Sequence, residues 1–243
     1  MPEAPRIWIM GASDGIGAAL ARALAAQGAR LILSARSEGR VQALAAELEA
    51  EAIAADVADS ASLQTAADRI AMSGPLDRAI TLAAIYDPGR VMAVDPALAA
   101  QIVTVNLTGS FNFVRAAVPL LRPGGQLALT GSVAGYVGLP QGQIYSATKA
   151  GVINLAESLR AELAPRVDVR LICPGFVATR LTEKNDFAMP GLLQPEQAAQ
   201  TILAGLDGRG FEIHFPRRLT WPLKLLRALP YGLALPLTRR FAR

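Results

Sequence analysis

Seven short apolar runs punctuate the chain: RIWIM, RLILSA, AIAAD, RAITLAA, QLALTGS, DVRLIC and FEIHF. They are continuous rather than alternating. A strand apolar on both sides must be covered on both sides, which is the condition of a parallel sheet between two layers of helices. Stretches of helical period separate the runs, at Ile16–Gln27, Glu38–Ala50, Ser60–Met72, Pro96–Leu121, Ile144–Leu163 and Pro195–Leu206. Gly28 stands where a helix C-cap glycine belongs, and Pro195 with Glu196 suits a helix first turn. The repeated strand–helix–strand order predicts one doubly wound α/β domain of about seven strands, with right-handed crossovers. It is expected over residues 1–216, with no repeat or Gly/Ser linker dividing it. A tail rich in Pro, Leu and Arg follows over 217–243.

With 52% apolar and 18% charged residues, the chain is excluded from the disordered class and can bury a large core. Cys173 is the only cysteine, so an intramolecular disulfide and a Cys-rich metal site are excluded, and a reducing compartment is expected. His214, the only histidine, lies in FEIHFP and reads as a strand residue rather than a zinc ligand or triad base. No metal is expected. Arg209–Arg243 holds eight Lys or Arg and one acid, net +7, which leaves the preceding 208 residues at −3 of the total +4. The basicity belongs to the tail and does not mark a nucleic-acid-binding domain. The N-terminal MPEAPRIWIM lacks the layout of a signal peptide, and a cytoplasmic protein is expected.

The first run leads into GASDGIG and then a helix, so Gly11, Gly15 and Gly17 are spaced G-x3-G-x-G. Glycine permits the tight turn and lets backbone N–H groups approach a pyrophosphate, and the helix N-terminus adds partial positive charge. Gly17 lets the helix pack close to the strand. At the end of the second run an NAD site usually carries an acid for the ribose hydroxyls. Here Ala35 is followed by Arg36, a residue able to bind a 2′-phosphate. NADP(H) is expected over NAD(H). Asp14, inside the loop, opposes that expectation.

Tyr145 and Lys149 are four residues apart and share a helix face. An ammonium beside a phenol favours the phenolate and should lower the tyrosine pKa, making it a proton carrier for a carbonyl or an alcohol. Ser132, at the carboxyl end of QLALTGS, can bond the substrate oxygen as charge develops.

In GASDGIG, ADV (55–57), VNLTG (105–109), GSVAG (131–135), YSATK (145–149) and PGFVAT (174–179) the chain resembles the short-chain dehydrogenases/reductases, from Arg6 to about Phe215. The resemblance implies a single Rossmann-type domain, usually a homodimer or homotetramer, transferring hydride between a nicotinamide cofactor and a carbonyl–alcohol pair. It implies Tyr145 as acid/base, Lys149 as its partner and ribose ligand, Ser132 as the orienting hydroxyl, and Asn106 as holder of a relay water. Asp56 and Val57 would lie beside the adenine, and Thr179, with Val177, beside the nicotinamide carboxamide. Ser13, Ile16, Leu82, Ala83, Pro174 and Gly175 complete the implied cofactor wall. One segment departs: where the family carries Asn-Asn-Ala-Gly, this chain has Thr81-Leu82-Ala83-Ala84, which puts the rigidity supplied by that asparagine in question.

RLTEKNDFAMPGLL, after Thr179, suits a mobile substrate lid in which Leu181, Phe187, Met189 and Leu192 line an apolar pocket flanked by Gly138, Leu139 and Pro140. A hydrophobic small-molecule carbonyl or alcohol is the expected substrate. The longest uncharged stretch of the tail, Ala228–Thr238, is 11 residues, short of the roughly 20 a span requires. On a wheel, Leu219, Leu223, Leu225, Leu226 and Leu229 form an apolar face and Lys224 with Arg227 a basic one. That pattern fits a helix packed on the domain, at a subunit interface, or peripherally on the inner face of a membrane. A second reading of function, a non-catalytic NADP(H)-sensing protein, has room in the altered Thr81–Ala84 segment.

Overall fold

The computed structural model describes residues 4–185 and 188–239. Seven parallel strands form one sheet: β1 (Arg6–Met10), β2 (Arg30–Ser34), β3 (Glu51–Ala52), β4 (Leu76–Thr81), β5 (Leu121–Thr130), β6 (Val167–Pro174) and β7 (Glu212–Phe215). Their order is β3-β2-β1-β4-β5-β6-β7, so the winding reverses between β1 and β4. In such sheets the crevice at the carboxyl ends, beside the reversal, is where ligands bind.

β1 shows why its sequence is continuously apolar. Ile7 and Ile9 enter one core cluster, Trp8 and Met10 the other, and every residue of the strand is buried. Helices α1 (Gly15–Ala26), α2 (Glu38–Glu47) and α7 (Pro195–Asp207) cover the first face; α3 (Ser60–Ala71), α4 (Pro96–Val103), α5 (Gly109–Ala117) and α6 (Gln143–Leu163) cover the second. α4 and α5 are continuous through one π turn, Thr104–Thr108. Pro96–Leu120 is, among the described residues, the one helix long and apolar enough to cross a membrane; here Ile102, Val105, Phe113 and Val114 face the protein core instead.

Of the run AIAAD only Ala52 is strand, as the second residue of β3. Beyond it, Ile53 and Ala55 still donate to Leu33 and Ala35 of the β2 side at 3.0 and 3.2 Å. The chain stays extended on an edge, bonded on one side only. β4 ends at Thr81, three residues before the run RAITLAA does, as the chain turns over the loop that follows β1.

The tail is two helices, α8 (Arg217–Ala228) and α9 (Tyr231–Thr238), cornered at Pro230. Its apolar face is not presented as one surface. Leu219, Leu223, Leu226 and Leu229 pack into the core cluster of the second face, whereas Leu225 is 67% exposed. At about 100° per residue, Leu225 is turned away from the stripe made by its neighbours. Nor are Lys224 and Arg227 a free basic stripe. Lys224 is hydrogen-bonded to Glu212 on β7 and lies 5.6 Å from the Tyr136 ring, and Arg227 lies 3.9 Å from Glu157 on α6. His214 is a strand residue, its Nδ1 bonded to Thr220 Oγ1 at 2.7 Å.

Candidate active site

The glycine loop is built by contacts with its own neighbours. Gly11 takes φ +87°, and a Cβ there would lie 2.5 Å from Ala83 N. A Cβ on Gly17 would lie 2.1 Å from the Gly11 carbonyl oxygen, which is how α1 begins hard against the end of β1. Gly15 abuts Thr179: its Cβ would be 2.8 Å from Thr179 Cγ2. The loop thus touches both Leu82–Ala83 and the Pro174–Thr179 segment, gathering the expected cofactor wall around the N-terminus of α1. Ser13 and Ile16 are part of that turn, both half-buried.

Asp14 caps α1, accepting from Gly15 N at 2.7 Å. Its carboxylate is also ion-paired with Arg180 and lies 3.8 Å from Arg40. The opposing charge noted in the sequence is therefore matched by two guanidiniums. Arg36 stands exposed at the bend after β2. Asp56 turns its carboxylate back to Ala58 N at 2.9 Å, and buried Val57 packs against Gly109.

The three catalytic candidates come together at the carboxyl edge of β5. Ser132 follows the strand and caps the turn Val133–Gly135, accepting from Ala134 N at 3.1 Å. A Cβ on Gly135 would lie 2.7 Å from the Lys149 carbonyl carbon, so that turn lies directly on α6. Tyr145 and Lys149 sit in the first two turns of α6. Half-buried Tyr145 carries its phenol near the Ser132 hydroxyl, which favours the phenolate. Lys149 is 2% exposed, donates from Nζ to Thr130 O at 2.8 Å and lies 5.7 Å from the Tyr145 ring centre.

The electrostatics correct the expectation of an acidified tyrosine. Burial pushes the Tyr145 phenol up to about 12, against the opposing hydrogen bond from Ser132. Burial likewise pushes the Lys149 ammonium down to about 8, with Cys173 acting weakly the other way. Desolvation disfavours the charged form of each. At neutral pH both groups hold their protons, so the site rests as an acid.

Asn106, in the π turn, is fully buried. Its Oδ1 accepts from Ile85 N and its Nδ2 donates to Ile85 O, both at 2.9 Å, with a further contact to Thr148 Oγ1 at 3.3 Å. The side chain is committed to the segment after β4. That segment is also held at Thr81, whose carbonyl accepts from Thr130 Oγ1 at 2.7 Å, and at Leu82, whose N–H donates to Met10 O at 2.7 Å. The altered segment is therefore tied to β1 and β5 without an asparagine of its own.

Sequence reasoning missed Tyr86. It is held beside Tyr145 by the Asn106–Ile85 clamp, with ring centres 4.7 Å apart in an edge arrangement. Its hydroxyl donates to Asn185 Oδ1 at 2.9 Å, reaching the lid. The lid is fastened further by Lys184 to Asp87 at 3.0 Å and by pairing of Phe176–Ala178 with Leu193. The missed signal was an aromatic residue just after the switch-point strand. Leu181, Met189 and Leu192 lie in the lid, Leu192 exposed; Phe187 falls outside the described residues.

The residues fit a nicotinamide dinucleotide. An ammonium has three donors, and among the described residues Lys149 spends one, on Thr130 O. A half-buried phenol, a buried hydroxyl and a buried ammonium thus meet at the carboxyl edge of the parallel sheet.

A family model of the short chain dehydrogenases matches residues 5–189. The chain belongs to the short-chain dehydrogenase/reductase family and is an oxidoreductase. A protein of Myxococcus xanthus described as an oxidoreductase is 32% identical over 231 residues, 91% of each chain. The 3-oxoacyl-[acyl-carrier-protein] reductase of Escherichia coli is 33% identical over 192 residues, 76% of this chain and 79% of its own. A short chain dehydrogenase of Burkholderia cenocepacia, solved in complex with NADP, superposes with a TM-score of 0.86 at 26% identity, over 99% of this chain and 98% of its own.

Proposed function

We propose that the protein is an NADP(H)-dependent reductase of hydrophobic ketones or aldehydes, working in the cytoplasm as a homodimer or homotetramer. The observation that carries the reading is the convergence of Ser132, just after β5, with Tyr145 and buried Lys149 in the first two turns of α6. NADPH, when bound, supplies the hydride to the carbonyl carbon. Ser132 donates a hydrogen bond to the carbonyl oxygen as it gains charge. Tyr145, protonated at neutral pH, gives that oxygen its proton. Lys149 stabilises the phenolate left behind and offers its spare donors to the ribose hydroxyls. Both side-chain polar atoms of Asn106 are engaged by protein, so a relay water at this position rests on its main chain.

Gly11, Ser13, Gly15, Ile16, Gly17, Leu82, Ala83, Pro174, Gly175, Val177 and Thr179 would line the cofactor, and Asp56 and Val57 its adenine. Arg36 favours the 2′-phosphate, and the pairing of Asp14 with Arg180 and Arg40 removes the charge that argued against it. The lid and the kinship with a 3-oxoacyl reductase make 3-oxoacyl thioesters the first substrates to try.

The test is NADPH oxidation with a panel of 3-oxoacyl, cyclic and aromatic carbonyls, repeated with NADH and with Arg36→Glu. Turnover with at least one carbonyl is expected, with kcat/KM for NADPH falling about tenfold or more in Arg36→Glu, the scale of one charge-assisted bond. NADPH binding without turnover of any carbonyl or alcohol would establish the non-catalytic sensor instead. A preference for NADH overturns the cofactor assignment alone.

A further inference from the structure

The outward side of α8 and α9 is apolar and uncovered. Trp221 is 60% and Tyr231 82% exposed, and Leu225, Leu233, Leu235 and Leu237 are exposed beside them. Inward-facing Leu223, Leu226 and Ala234 are buried, so the two helices are fixed to the domain while offering a second apolar surface to solvent. So many exposed large apolar side chains on two adjoining helices mark an interaction site. On the same two helices stand the exposed side chains of Arg217, Arg218 and Arg239, whereas Arg227 is turned to Glu157 of the domain. Residues 217–243 contain seven Lys or Arg and no acid, whereas residues 1–216 carry a net −3.

Charge selects the occupant. In a two-fold dimer the same patch meets itself, so this face would set arginines against arginines with no acid of its own to pair them. An anionic lipid surface meets both requirements at once: its headgroups take the guanidiniums, and its acyl boundary takes Trp, Tyr and Leu. The patch also starts beside the lid. Pro216 lies against Gly191, and Leu219 against Gly175.

We propose that the outer face of α8–α9 docks the protein onto an anionic phospholipid bilayer, peripherally and reversibly, through the exposed apolar side chains framed by arginines. The proposal is independent of the catalytic reading, and its test does not use activity.

The chain has two tryptophans; Trp8 is fully buried and Trp221 open, so a change in emission on docking reports Trp221. The full chain is titrated with vesicles of phosphatidylcholine alone and of phosphatidylcholine mixed with phosphatidylglycerol. Expected are a blue shift and partitioning at least about tenfold stronger on the anionic vesicles, weakened by about 1 M salt. Leu233→Glu with Leu237→Glu should abolish both, with the melting temperature unchanged because both positions are exposed. Equal partitioning onto the two vesicles, or none, overturns the proposal. So does a concentration-dependent dimer, seen by sedimentation without vesicle binding, that the double variant dissociates; that result gives the face to a second copy of the chain.

Discussion

Two regions depart from the rule that apolar side chains go inside and polar ones out, and they do so in opposite senses. At the carboxyl edge of the sheet, Lys149, Asn106, Ser132 and Thr81 are buried. In the last two helices Trp221, Leu225, Tyr231 and Leu233 are exposed. The buried polar groups are almost all spoken for by local carbonyls and amides, and the bonds they have left point at a reaction. Of the exposed apolar groups, Trp221 meets His214 edge-on at 5.6 Å and Lys224 at 5.7 Å, yet 60% of it stays open. A buried polar cluster is thus explained by chemistry done inside the molecule, and an exposed apolar cluster by something outside it.

The largest effect expected is at Lys149. Lys149→Met should lower kcat about 100-fold or more while raising the melting temperature. Its ammonium pKa falls from 10.5 to about 8 on burial, so the folded state holds that proton less firmly than the unfolded one. The charge therefore opposes folding below about pH 8, and the opposition fades as pH rises towards 10.5. At about 1.4 kcal/mol per pKa unit, removing the charge should gain roughly 3–4 kcal/mol at neutral pH. Calorimetry across pH checks this: the stability gap between variant and wild type should close as pH rises from about 8 towards 10.5. A variant less stable than wild type at neutral pH would show that Lys149 is structural.

The tail gives the next contrast, between adjacent residues. Leu226→Ala should cost about 2–5 kcal/mol in denaturant unfolding, because Leu226 is 9% exposed and fills core. Leu225→Ala should stay within about 0.5 kcal/mol. Equal effects would dissolve the two-sided description of α8. Between these in size is Tyr86→Phe, which keeps the ring on Tyr145 and removes the bond to Asn185. A rise of about fivefold in KM with kcat nearly held is expected, the worth of one hydrogen bond holding the lid. A loss in kcat alone would place the Tyr86 hydroxyl in the reaction instead.

The sheet was legible because β1, β2, β5 and β6 are apolar on both sides, and only a doubly covered sheet asks for that. The partnership of Tyr145, Lys149 and Ser132 was legible because helix spacing and strand-end position put it in the sequence itself. What was not legible depends on long-range contact. Tyr86 is held beside Tyr145 by Asn106, which clamps Ile85, 21 residues before it. The wheel of α8 grouped Leu225 with its neighbours, since a wheel does not say which side meets the domain. The tyrosine pKa was misjudged in direction because spacing reveals a nearby charge but not the water both groups lose.

The central claim is that a protonated Tyr145, positioned by Ser132 and Lys149, delivers the proton of a carbonyl reduction. The direct measurement is kcat and the NADPH dissociation constant for Tyr145→Phe with the best carbonyl of the panel. The account predicts a fall in kcat of about 100-fold or more with NADPH affinity within about twofold of wild type. A kcat within a few-fold of wild type, with the variant folded and NADPH bound, would contradict it.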